Sequence, residues 1–209
     1  MVKTIASGVA KNLSHILDSD DNVEIYAYAL QLVFMLILNL TMVILVAFFL
    51  KIIPTTLAFL AVFIPFRAFG GGVHLSTFPR CILIGSCLIL GSACLAAEIK
   101  IQSYQLAILC LFTLLFTLLC IVRWVPASTV KNPVEDPGII RMQKRNMFIA
   151  TIMWTGCITT FIYFSHNALA LAMILGAIVS TVLISPLGFR LMGFIDRLLN
   201  NFGKGVTNS

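Results

Sequence analysis

Between Phe66 and Cys81 the chain reads Phe-Arg-Ala-Phe-Gly-Gly-Gly-Val-His-Leu-Ser-Thr-Phe-Pro-Arg-Cys, which gathers three glycines, a histidine, two arginines and a cysteine within one short segment. A cysteine acts as a nucleophile through its thiolate, and a histidine within hydrogen-bond reach can take the proton. His74 and Cys81 are seven residues apart. On one continuous helix they would share a face but sit about 10 Å apart along the axis, too far for proton transfer. The glycines before His74 and Pro79 before Cys81 argue instead for a break between them. If Ser76 or Thr77 caps a new helix, Pro79 falls in its tolerated first turn and Cys81 near its positive end. The helix dipole, Arg80 and a protonated His74 would then favour the thiolate. The amides of Gly70 to Gly72 are a possible nest for an oxyanion. The same residues also admit a purely structural reading, with the glycines as a turn and Cys81 as a small apolar residue at a helix end.

The elements that must position this segment lie in a membrane. The chain has 209 residues, 60% of them hydrophobic and only 11% charged. A soluble domain carries about a quarter charged residues, so this chain could not cover a globular surface. Disorder, nucleic-acid binding and a disulfide-stapled secreted module fit poorly. The six cysteines mostly sit inside apolar runs, which argues against a disulfide or zinc framework. Charged residues punctuate the chain into uncharged runs of 26 residues after Glu24, 15 after Lys51, 17 after Arg80, 22 after Lys100 and 44 after Arg145. The last is broken near its middle by Ser165-His166-Asn167. Because a spanning helix needs about 20 apolar residues, the pattern predicts an all-α membrane protein with six spans. They are placed at 25–50, 52–67, 81–98, 103–122, 146–164 and 168–186. The chain forms one polytopic domain, with cytoplasmic loops at 67–80 and 123–145.

Ile5, Val9, Leu13, Ile16 and Leu17 recur at spacings of three and four, which predicts an amphipathic interfacial helix over residues 1–18. No cleavable signal peptide is expected, since the first 24 residues lack a continuous apolar core. With the N-terminus inside, 12 of the 14 Lys and Arg residues fall on the cytoplasmic side and only Lys51 and Lys100 outside. That bias predicts cytoplasmic termini. The net charge of +6 then reads as topology and attraction to anionic lipid. Ala168, Ala172, Gly176 and Ser180 form a stripe of small residues that suits close helix packing in lipid, against another span or another subunit.

The stretch Arg67 to Cys81 resembles the catalytic segment of the accessory gene regulator B family, membrane cysteine endopeptidases of Gram-positive quorum sensing. Arg67, Gly71-Gly72, His74 and Cys81 match its arginine, Gly-Gly-x-His group and following cysteine. Val125-Pro126-Ala127-Ser128-Thr129, with Lys131, Pro133, Arg141, Lys144 and Arg145, looks like the family's central cytoplasmic loop, although the acidic pair Glu135-Asp136 departs from it. The resemblance implies a cell-membrane enzyme whose Cys81 attacks a precursor peptide, with His74 as base and then acid. A thioester to Cys81 is then resolved by an internal cysteine or serine of the peptide, releasing a thiolactone or lactone. Arg67, Gly71, Gly72 and Arg80 become candidates for contacts to the oxyanion or to the substrate's acidic tail. No cofactor, metal or nucleotide is implied. The expected partners are a precursor with an amphipathic leader, membrane lipid and a second copy of the chain as a homodimer, with no nucleic acid. A small transporter or export channel is the alternative. It would require ionisable residues within the spans, and apart from Arg67 and the borderline Glu98 these are missing.

Spans two and three offer only 15 and 17 uncharged residues, or roughly 22–26 Å against a hydrocarbon core of about 30 Å. The loop from Arg67 to Arg80 is therefore expected to be recessed below the cytoplasmic surface.

Overall fold

The computed structural model describes residues 23–73, 75, 77–127 and 136–206. The expected interfacial helix at 1–18 and the side chain of His74 lie outside these residues. Among the described residues the structure is all-α and has no strand. The helices are α1 (Val23–Phe49), α2 (Ile53–Gly70), α3 (Phe78–Glu98), α4 (Ser103–Arg123), α5 (Pro137–Tyr163), α6 (Asn167–Ile184) and α7 (Pro186–Val206). Residues 1–49 and 50–209 form two compact units. In the first, α1 is apolar over Val33–Phe49. In the second, α2 to α6 are each long and apolar enough to cross a membrane.

Within the second unit, α6 is the axis. It packs against α2, α3, α4, α5 and α7, and its most extensive partner is α2. The reason lies in the small-residue stripe. A Cβ added at Gly176 would stand 2.7 Å from the Phe59 carbonyl oxygen. Glycine at this point thus lets the two backbones approach closely, and in lipid, where apolar burial drives little, such close packing supplies the attraction. Ala172, Gly176 and Ser180 are all buried, so the stripe serves packing within one chain.

Two helices begin earlier than the charge pattern predicts, for the same physical reason. Helix α3 starts at Phe78, not 81: Thr77 takes the extended cap conformation and Pro79 falls in the first turn, where its missing amide costs nothing. Helix α5 starts at Pro137, nine residues before the expected 146. The Asp136 side chain caps it by accepting a hydrogen bond from the Gly138 amide at 2.8 Å. This gives the acidic departure in the second loop a structural role. Arg141, Lys144 and Arg145 consequently lie on α5 and not in a loop. Lys144 Nζ donates to the Val122 carbonyl at 3.1 Å, satisfying an orphan acceptor at the C-terminal end of α4.

The second span is also longer than expected. It runs to Gly70, so the last turn of α2 includes Arg67. With 18 residues in α2 and 21 in α3, the helices reach about 27 and 31 Å, which largely removes the shortfall inferred from uncharged runs. The chain after α6, for which the charge pattern predicts no element, forms the 21-residue helix α7.

Candidate active site

Helix α2 ends at the glycines, and each is held differently. Gly70 still belongs to the helix, and a Cβ there would run into Ile184. Gly71 (φ +73°) and Gly72 (φ +127°) take backbone conformations that side chains disfavour. The chain then pairs with the start of the second loop. The Ala127 amide donates to the Gly70 carbonyl at 2.8 Å, and the Gly72 amide donates to the Ala127 carbonyl at 3.0 Å. One residue on, the Val73 amide donates to the Leu183 carbonyl at the end of α6 at 3.3 Å. The two loops and the end of the axial helix are therefore joined through main-chain groups.

Arg67 completes this arrangement. Its Nη1 donates to the Gly71 carbonyl at 2.9 Å and its Nη2 to the Val73 carbonyl at 3.0 Å. The planar fork of a guanidinium suits such a pair of acceptors, where a lysine would supply a single point charge. Cys81 interacts electrostatically with this guanidinium. The side chain shapes the loop after α2 and at the same time places a positive charge near the thiol.

Cys81 lies in the first turn of α3, and its amide donates to the Thr77 carbonyl at 3.1 Å, the first intrahelical bond. Its side chain is half-buried. All six cysteines are thiols. Cys110 and Cys120 are buried in α4, whereas Cys87 and Cys157 are exposed on α3 and α5.

The other expected contacts fall differently. The amides of Gly71 and Gly72 donate to the Arg67 and Ala127 carbonyls, so in this conformation they are engaged and do not form an open oxyanion nest. Arg80 points to α7. Its Nη1 forms an ion pair with Asp196 Oδ1 at 3.2 Å and donates to Asn200 Oδ1 at 2.6 Å. Sequence reasoning missed Asp196 and Asn200 because the helix that carries them was missed. The side-chain spacing of that helix would have revealed it. Among the described residues no group of three or more His, Cys, Asp or Glu side chains is placed to hold a metal ion.

Five long apolar helices, with a glycine turn and a cysteine-bearing helix start following one another in the chain, define a multi-pass membrane protein with a candidate site at the ends of α2 and α3. The family model for accessory gene regulator B matches residues 2–184. The chain therefore belongs to that family, which processes quorum-sensing peptides. No curated protein and no solved structure matches it.

Proposed function

We propose that the protein is a membrane cysteine endopeptidase that cleaves a quorum-sensing precursor peptide and promotes its cyclisation. The observation that carries this reading is the position of Cys81 in the first turn of α3, a few residues after the glycine turn whose carbonyls Arg67 gathers, within a chain of this family. The Cys81 thiolate attacks the scissile carbonyl carbon, the C–N bond breaks, and His74 gives its proton to the departing amine. The acyl group is left as a thioester on Cys81. A thiol or hydroxyl within the peptide then attacks the same carbonyl and loses its proton to His74, and the Cys81 thiolate departs as the ring closes. One acyl–sulfur bond is exchanged for another acyl bond, so no nucleotide is consumed. His74 enters through the motif, as it lies outside the described residues.

In this reading α1 is the first of six spans, residues 1–18 lie in the inner interface, and both termini are cytoplasmic. The protein is a cell-membrane enzyme of a Gram-positive bacterium, working as a homodimer on a precursor with an amphipathic leader. The arrangement of Arg67 supports a recessed site. Its charge is turned onto two carbonyls, so this end of α2 tolerates lying below the headgroups, with limited water near the thioester.

Processing by single variants in reconstituted membranes tests the assignment. Cys81→Ala and His74→Ala should each abolish cleavage while the protein remains folded in detergent, and Cys81→Ser should be nearly as damaging. Cys87→Ala, Cys94→Ala and Cys110→Ala should retain activity. Normal cleavage by Cys81→Ala would overturn the mechanism. Removing the precursor's leader should strongly reduce cleavage, and another interfacial helix fused in its place should restore it.

A further inference from the structure

Helix α7 begins at Pro186, immediately beyond the segment that the family model matches. Only Ser185 separates it from α6, and a Cβ at Gly188 would run into the Val182 carbonyl. The helix is thus packed onto the last turn of a span and stays at that span's mouth. Leu187, Leu191, Phe194 and Leu198 follow one another at spacings of four, three and four, and all are exposed, by 67%, 44%, 58% and 41%. They form a continuous apolar stripe along about three turns. Arg190 and Arg197, seven residues apart and both exposed, border one edge of it. Across the helix from the stripe, Asp196 and Asn200 hold Arg80, the residue before Cys81.

We propose that α7 lies in the plane of the membrane interface, with this stripe among the acyl chains and Arg190 and Arg197 on anionic phospholipid headgroups. There it acts as a strut that fixes, through Asp196 and Arg80, the depth of the helix start carrying Cys81. An apolar stripe edged by cations is the pattern that anionic bilayers bind, through buried area plus headgroup attraction. The attachment to the end of a span places the stripe at that depth without a linker. Arg80 is then a positioning residue. The strut role rests on the proposed chemistry at Cys81, whereas the lipid contact does not.

The test uses the full chain with Phe194→Trp in vesicles of phosphatidylcholine, with or without phosphatidylglycerol. The fluorescence added over the native chain should be quenched more by shallow-brominated than by deep-brominated phosphatidylcholine. Phosphatidylglycerol should increase the quenching, and Arg190→Gln with Arg197→Gln should remove that increase. Asp196→Asn with Asn200→Ala should leave the quenching in place but slow precursor cleavage roughly tenfold, as expected when positioning is lost while the residues themselves survive. Absence of quenching by either lipid would overturn the interfacial placement. So would efficient cross-linking of two copies through Leu191→Cys, or release of quenching by added leader peptide, since another occupant would then cover the stripe. Unchanged cleavage in the Asp196 and Asn200 double variant would overturn the strut. Cleavage by Cys81→Ala would instead remove the proposed chemistry and leave the lipid contact standing.

Discussion

The Arg67 guanidinium occupies the space that a side chain at residue 72 would need. The arginine and the glycine are therefore a matched pair: one supplies the fork that gathers two carbonyls, the other the clearance for it. Gly72→Ala would displace Arg67 and also force a side chain into a φ of +127°, a strain of roughly 1–3 kcal/mol. Loss of precursor cleavage is expected, with the protein still extractable as a folded species and a lower thermal midpoint in detergent.

Arg67→Lys keeps the charge and loses the fork. One ammonium cannot reproduce both bonds with the same geometry, and a hydrogen bond to a charged group contributes about 1.5–3 kcal/mol. The variant should cleave at least tenfold more slowly than the native protein in a single-turnover assay. Native rates would mean that the charge near Cys81 is all that residue 67 supplies.

Asp136→Ala removes the cap of α5 and should lower stability by about 1 kcal/mol, read as a reduced thermal midpoint. Asp136→Ser or Asp136→Asn should restore most of it. Since the acid is assigned to the helix start, the serine and asparagine variants should cleave the precursor normally.

Two glycines in helices make opposite predictions. Gly176→Ala forces a methyl against the Phe59 carbonyl and should destabilise by about 1–3 kcal/mol. A Cβ at Gly85 meets nothing within 4 Å, so Gly85→Ala should be neutral or stabilising by up to about 1 kcal/mol through helix propensity. Thermal midpoints of both in one detergent give the contrast directly.

Sidedness is checked with single cysteines and a membrane-impermeant thiol reagent on intact cells. A cysteine at position 166 should react, and cysteines at 130 and 205 should not. Reaction at 130 would place the loops that meet at Gly71 and Ala127 on the outer face.

Much of this architecture was legible in one sequence because charge is costly in lipid. Lys51, Arg80, Lys100 and Arg123 therefore mark the ends of apolar helices, and Thr77 with Pro79 marks a helix start. Helix α7 was hidden by the same rule: Arg190, Asp196 and Arg197 interrupt the apolar run, although Leu187, Leu191, Phe194 and Leu198 keep a helical period. The start of α5 was hidden by Arg141, Lys144 and Arg145, while the Asp136-Pro137 signal for it stood in plain view. The pairing of Arg80 with Asp196, 116 residues away, has no local signature. Nor does the joint between Gly71 and Ala127, which involves no side chain.

That joint has an outcome for how the protein can change. It uses only amide and carbonyl groups, so every residue type except proline can supply it at position 127. What the second loop displays there is thereby uncoupled from where the loop is held. A library varying residue 127 would diversify the surface of the second loop while leaving the glycine turn in register, and Ala127→Pro, lacking the donor to Gly70, would be the substitution it could not absorb.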